Sequence, residues 1–182
     1  AARIRQEAET IRAEIDTLGG VISLVALDKH RDATDLTKPY NALQRSPERT
    51  FVAQAGLIGE GLPNHKTEFK LEPGTYELKS GSDKLELRLQ APEVNGLKVT
   101  KIYTFHRGSY QIDIDYEIAN QRQVPLATHA YYQLTRDGKV PEASMTNIAT
   151  FTGPAIYTDE GKFQKIDFAD IEKGKAKFVQ KA

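Results

Sequence analysis

Hydrophobic and polar positions alternate most regularly from Tyr110 to Ile118, which reads Tyr-Gln-Ile-Asp-Ile-Asp-Tyr-Glu-Ile. A strand points successive side chains to opposite faces. Extended, this stretch therefore has an apolar face of Tyr110, Ile112, Ile114 and Tyr116 and a wet face of Asp113, Asp115 and Glu117. Wound as a helix, the same residues would scatter around the axis. Leu85 to Leu89 alternates in the same way, and Leu97 to Phe105 lies between the two. Pro92-Glu93-Val94-Asn95-Gly96 and His106-Arg107-Gly108-Ser109 separate the runs, and Asn-Gly is a strong short turn signal. Residues 84 to 118 therefore predict a three-stranded antiparallel meander with one solvated face.

The pattern continues on either side. Ile11 to Asp16 reads as a strand, Gly19-Gly20 as a tight turn and Val21 to Leu27 as a β-branched strand. Ala1 to Glu9 fits helical and extended spacing equally. Leu126, Thr128, Ala130, Tyr132 and Leu134 make one face of another strand, ended by Asp137-Gly138. Shorter strands are expected at Ile148 to Thr152, Ala155 to Tyr157 and Gln164 to Phe168. Asp28 to Arg49 is polar, contains Pro39 and Pro47, and reads as a long loop, as does Thr135 to Asn147. The elements predict an all-β sandwich with little helix.

Composition narrows the function. The 182 residues suit one domain spanning 1–182, and a chain of this size buries roughly 70% of its unfolded surface. Net charge is zero, 25 basic against 25 acidic residues, so no field of one sign draws in nucleic acid. The lysines of the final stretch, Lys173, Lys175, Lys177 and Lys181, read as a solvated tail, with a basic segment beside a membrane surface as the alternative. The chain has no cysteine, which excludes disulfides, thiolate metal sites and cysteine nucleophiles. No apolar run approaches 18 residues. Beginning at Ala1-Ala2-Arg3, the chain has the look of an excised segment.

Catalytic chemistry is hard to find. There is no phosphate-binding glycine loop, no paired-histidine helix and no nucleophile elbow. Asp113, Asp115 and Glu117 share a face, but no turn folds oxygen ligands around an ion, so a solvated sheet surface is expected rather than a calcium site. His30, His65, His106 and His129 are spread too widely for a local metal pair. No cofactor or metal is expected. His129, within Thr128-His129-Ala130-Tyr131-Tyr132-Gln133-Leu134, resembles the histidine-bearing strand of aldose mutarotases, where a histidine is general acid on the ring oxygen. His65 is a candidate second histidine in a poorly matching setting. Only 53 residues follow His129, too few to reach the region where that family keeps its glutamate base. A structural or incidental His129 is therefore expected, and an aldose mutarotase-like carbohydrate-binding enzyme using His129 is the alternative function.

An ordered series of motifs over roughly residues 10 to 172 resembles the large periplasmic domain of bacterial YidC-type membrane protein insertases. Ile15-Asp16-Thr17 with Gly19-Gly20 is similar to the family's first hairpin, and Gln54-Ala55-Gly56-Leu57 to a Gln-x-Gly-Leu element. Tyr103-Thr104-Phe105, Arg107-Gly108-Ser109-Tyr110 and the alternation to Tyr116 and Asn120 resemble its most recognisable stretch. Pro125-Leu126, Gln133-Leu134, Phe151 to Tyr157, Lys165-Ile166, Phe168 and Asp170 follow in order. The family continues into a Trp-containing stretch, and this chain has no Trp, which implies that a last strand and the membrane linker lie beyond it.

The resemblance implies an antiparallel β-supersandwich, the broad architecture of galactose mutarotases, without their activity. It implies a non-catalytic accessory domain at the periplasmic face of the bacterial inner membrane, its parent multi-pass. Partners would be Sec translocon components and nascent membrane proteins, and a plain spacer is the competing role. The contact stretch expected from the residues is Phe151 to Phe163, with Phe151, Ile156, Tyr157 and Phe163 among Gly153, Pro154 and Gly161. Large apolar residues are usually buried, so the same four also fit a core.

Overall fold

The computed structural model describes residues 3–8, 10–74, 76–139 and 151–179. The chain forms two compact units, Ala1–Arg136 and Asp137–Ala182. In the first, ten strands follow one another: β1 (Arg3–Ala8), β2 (Ile11–Asp16), β3 (Val21–Arg31), β4 (Pro39–Arg45), β5 (Thr50–Ile58), β6 (Lys70–Leu71), β7 (Lys84–Gln90), β8 (Leu97–His106), β9 (Ile112–Asn120) and β10 (His129–Arg136). The second contains β11 (Ala155–Thr158), β12 (Lys162–Lys165) and the short helix α1 (Phe168–Glu172).

The first unit is a sandwich of two antiparallel sheets. One sheet has the order β1-β2-β3-β4-β5-β10, the other β6-β7-β8-β9. Alternation decides which side chains meet between them. Ile11, Ala13 and Ile15 of β2 and Leu85, Leu87 and Leu89 of β7 point inward, joined by Ile22, Phe69, Tyr103 and Phe105. Burying such side chains stabilises the fold by about 1.5–3 kcal/mol each. A second cluster forms around Leu57, Leu62, Leu97 and Val99. The all-β antiparallel sandwich and the meander over β7, β8 and β9 thus match the sequence pattern, and Asn95 and Gly96 make the turn at positive φ.

The Gly19–Gly20 turn requires glycine. Both residues have positive φ, 77° and 54°, and a Cβ on Gly19 would lie 2.1 Å from the His65 carbonyl oxygen.

Three expectations change. Half of the loop expected from Asp28 to Arg49 is strand: β3 runs on to Arg31 and β4 occupies Pro39–Arg45. Its residues are polar because this ladder is only half-buried, and the register shifts between Leu27 and Arg31. Tyr110 lies before β9 rather than in it, exposed, with its hydroxyl 3.1 Å from His30 Nε2. The expected strand Gln164 to Phe168 ends at Lys165, and Phe168 opens α1. Ala1 to Glu9, open to either reading, contains β1. Of the expected loop Thr135 to Asn147, residues 140–147 lie outside the described residues, as do residues 148–150 of the expected strand Ile148 to Thr152.

One polar side chain ties the two sheets together. Lys101 of β8 falls in phase with Val99 and Tyr103 and is wholly buried. Its Nζ donates to the carbonyl oxygens of Gly19 (3.1 Å), Gly20 (3.1 Å) and Ala55 (3.0 Å). It also lies 5.2 Å from the ring centroid of Tyr103 and 5.9 Å from those of Phe69 and Tyr116. The Tyr103 hydroxyl donates to Gly20 as well. Burial lowers the Lys101 pKa to about 7.

Candidate contact surface

Strands β11 and β12 form an antiparallel ribbon pairing Ala155 with Lys165, Ile156 with Gln164, Tyr157 with Phe163 and Thr158 with Lys162. Directly opposed residues share a face. One face therefore carries Ile156, Thr158, Lys162 and Gln164, the other Ala155, Tyr157, Phe163 and Lys165.

Val179 lies against the first face. Thr158 Oγ1 donates to the Val179 carbonyl at 2.7 Å, and Val179 N–H donates to Gln164 Oε1 at 2.8 Å. Ile156, Thr158 and Gln164 are accordingly half-buried. The opposite face is open, with Tyr157 66% and Phe163 62% exposed. An exposed aromatic pair in direct register is unusual, because large apolar side chains are normally inside.

Lysines border these rings. Lys165 Nζ stands 5.1 Å from the ring centroid of Phe151, and Lys162 Nζ 6.0 Å from that of Tyr157. Neither ammonium pairs with a carboxylate among the described residues. Gly153 allows the approach of Phe151: a Cβ there would lie 2.7 Å from Phe151 Cζ and 2.5 Å from the Ile166 carbonyl oxygen. Asp159 and Glu160 occupy the turn at the ribbon's tip.

Of the four expected contact residues, the structure thus places Tyr157 and Phe163 side by side on the open face. Phe151 is exposed beside them through Lys165, and Ile156 lies on the covered face. The lysine tail is exposed from Lys173 to Lys177.

The histidines do not converge. His106 Nε2 lies 2.6 Å from Asp113 Oδ2, and that carboxyl is held below its ordinary pKa by Gln111 and His106. His65 meets the Tyr131 hydroxyl at a shallow depression of about 460 Å³ lined by Asn64, His65, Lys66, Tyr131 and Gln133 among others. His129 is exposed at the start of β10 and does not line it. No group of three or more metal-ligating side chains is placed to hold an ion among the described residues. The acidic face of β9 is a paired surface: Arg88 donates to both Glu117 oxygens, and Asp115 is exposed.

Sequence reasoning missed Lys101, whose position between Val99 and Tyr103 on an apolar face was the available signal. It also missed the exposure of β10, where Tyr132 is 60% and Leu134 66% exposed.

The elements define an all-β antiparallel sandwich unit followed by a two-stranded ribbon. The chain belongs to the family of YidC periplasmic domains, whose model matches residues 3–182. It is 49% identical over 180 residues to the membrane protein insertase YidC of Nitrosospira multiformis, covering 99% of this chain and 32% of that protein. It is 49% identical over 183 residues to the insertase of Aromatoleum aromaticum, covering 100% and 33%. For that of Nitrosomonas europaea the identity is 46% over 182 residues, covering 99% and 30%. The chain spans about a third of the length of these relatives. Membership in this family does not favour the mutarotase alternative. Among the described residues no helix is long and apolar enough to cross a membrane.

Proposed function

We propose that this chain is the non-catalytic periplasmic accessory domain of an inner-membrane protein insertase, and that it contacts partners through the open face of the β11–β12 ribbon. The two units would be parts of one such domain, as the reach of the family model over both suggests. The partners would be Sec translocon components or nascent membrane proteins. The observation that carries the reading is the exposed Tyr157–Phe163 pair, since uncovered aromatics are what contact surfaces use as anchors. Phe151 extends the surface, and Ile156 supports it from the covered face.

The test is a pair of charge substitutions, Tyr157→Glu and Phe163→Glu, in a full-length insertase carrying this domain. Both variants should keep the wild-type melting temperature, because both side chains are exposed, and should co-purify less Sec component or nascent chain. Unfolding of either variant would mean these rings are core. Unchanged co-purification, with full complementation by an insertase lacking the domain, would favour a spacer.

A further inference from the structure

The ribbon offers an open backbone edge as well as side chains. Ile166 N–H donates to the Pro154 carbonyl at 3.0 Å. In an antiparallel ladder, hydrogen-bonded pairs alternate with non-hydrogen-bonded ones. Residues 156/164 and 158/162 are therefore the bonded pairs, and Ala155 and Tyr157 direct their N–H and C=O groups away from β12. No described residue pairs with those groups. Such an edge can accept one more strand.

We propose that an extended, apolar segment bearing carboxylates adds to the outer edge of β11, its side chains lying over Tyr157 and Phe163 and its acidic group meeting Lys165. This rests on the insertase reading and names the partner class of the same surface. Backbone pairing selects an extended chain over a lipid. The aromatic rings favour apolar residues every second position. The Lys165 ammonium has no carboxylate partner among the described residues and sits at the end of the ribbon away from Asp159 and Glu160, which favours a carboxylate there. Segments translocated across the inner membrane have suitable chemistry: they flank apolar spans and are poor in Lys and Arg.

The experiment uses this 182-residue chain and labelled peptides of alternating Val and Leu that carry two Asp, read by fluorescence anisotropy. A matched peptide carries two Lys, a third is the Asp peptide N-methylated at alternate residues, and vesicles of phosphatidylglycerol and phosphatidylethanolamine form the lipid arm. The Asp peptide should bind about tenfold more tightly than the Lys peptide, and N-methylation should abolish binding. Lys165→Glu, checked by circular dichroism, should reverse the preference. Equal binding of both peptides, indifference to N-methylation or to Lys165→Glu, or binding to vesicles alone would overturn the proposal. Should the peptides fail while Tyr157 still governs co-purification with a Sec component, the occupant is wrong and the contact surface stands. If both fail, the contact reading falls too.

Discussion

Lys101 stands on the apolar face of β8, its ammonium enclosed by three carbonyl oxygens and three aromatic rings. The titratable groups beside it are Tyr103 and Tyr116, whose pKa values burial pushes upward, so both stay neutral. No charge opposes the cost of burial, which lowers the Lys101 pKa to about 7 from an ordinary 10.5. Between these values the unfolded chain binds more protons than the folded one. Lys101 therefore makes stability rise with pH from about 7 to 10.5, and this contribution is lost as pH falls toward 7. Urea melts at pH 6, 8 and 10 should show the rise, and Lys101→Met should remove it. At pH 10, where the cost of burying the charge has nearly gone and the folded chain holds the neutral amine, the same variant should be less stable by about 2 kcal/mol, because the two N–H donors to the Gly19, Gly20 and Ala55 carbonyls are lost. A variant as stable as the wild type would show that those carbonyls find other partners.

At the scale of elements, the Gly19–Gly20 turn and the β11–β12 ribbon make opposite predictions. Gly19→Ala places a methyl group against the His65 backbone at a positive φ. It should destabilise the domain by at least about 2 kcal/mol, seen as a lowered thermal midpoint. Tyr157→Ser with Phe163→Ser should change stability by less than about 0.5 kcal/mol per site. Phe105→Ala, in the fully buried core, should cost about 3–5 kcal/mol. Chemical denaturation separates the three. The same contrast explains what was legible in the sequence. β7, β8 and β9 could be read because their alternation is bounded by Asn95-Gly96 and Gly108. β4 could not, because a half-buried strand of Pro-Tyr-Asn-Ala-Leu-Gln-Arg has neither alternation nor β-branched residues. The contact stretch could be listed from composition, but the sides of the ribbon depend on the pairing of Tyr157 with Phe163 and on Val179 lying behind, and no local pattern encodes either.

The whole molecule follows from where the cores lie. Both hydrophobic clusters belong to the unit ending at Arg136. A chain ending there should keep its β-sheet circular dichroism and a cooperative melt, and loss of both would show that this core is not self-sufficient. Family membership was legible because its motifs run in order along most of the chain, although none is specific alone. We propose that the domain serves the insertase by contact, through the open aromatic face. The most direct test is a photo-cross-linking amino acid at Tyr157 in the full-length insertase within inner-membrane vesicles, with Glu93, exposed in the other unit, as the control. Contact through this face should give an adduct with a Sec component or a nascent membrane protein at 157 and little at 93. No adduct at 157 above the level at 93 would contradict it.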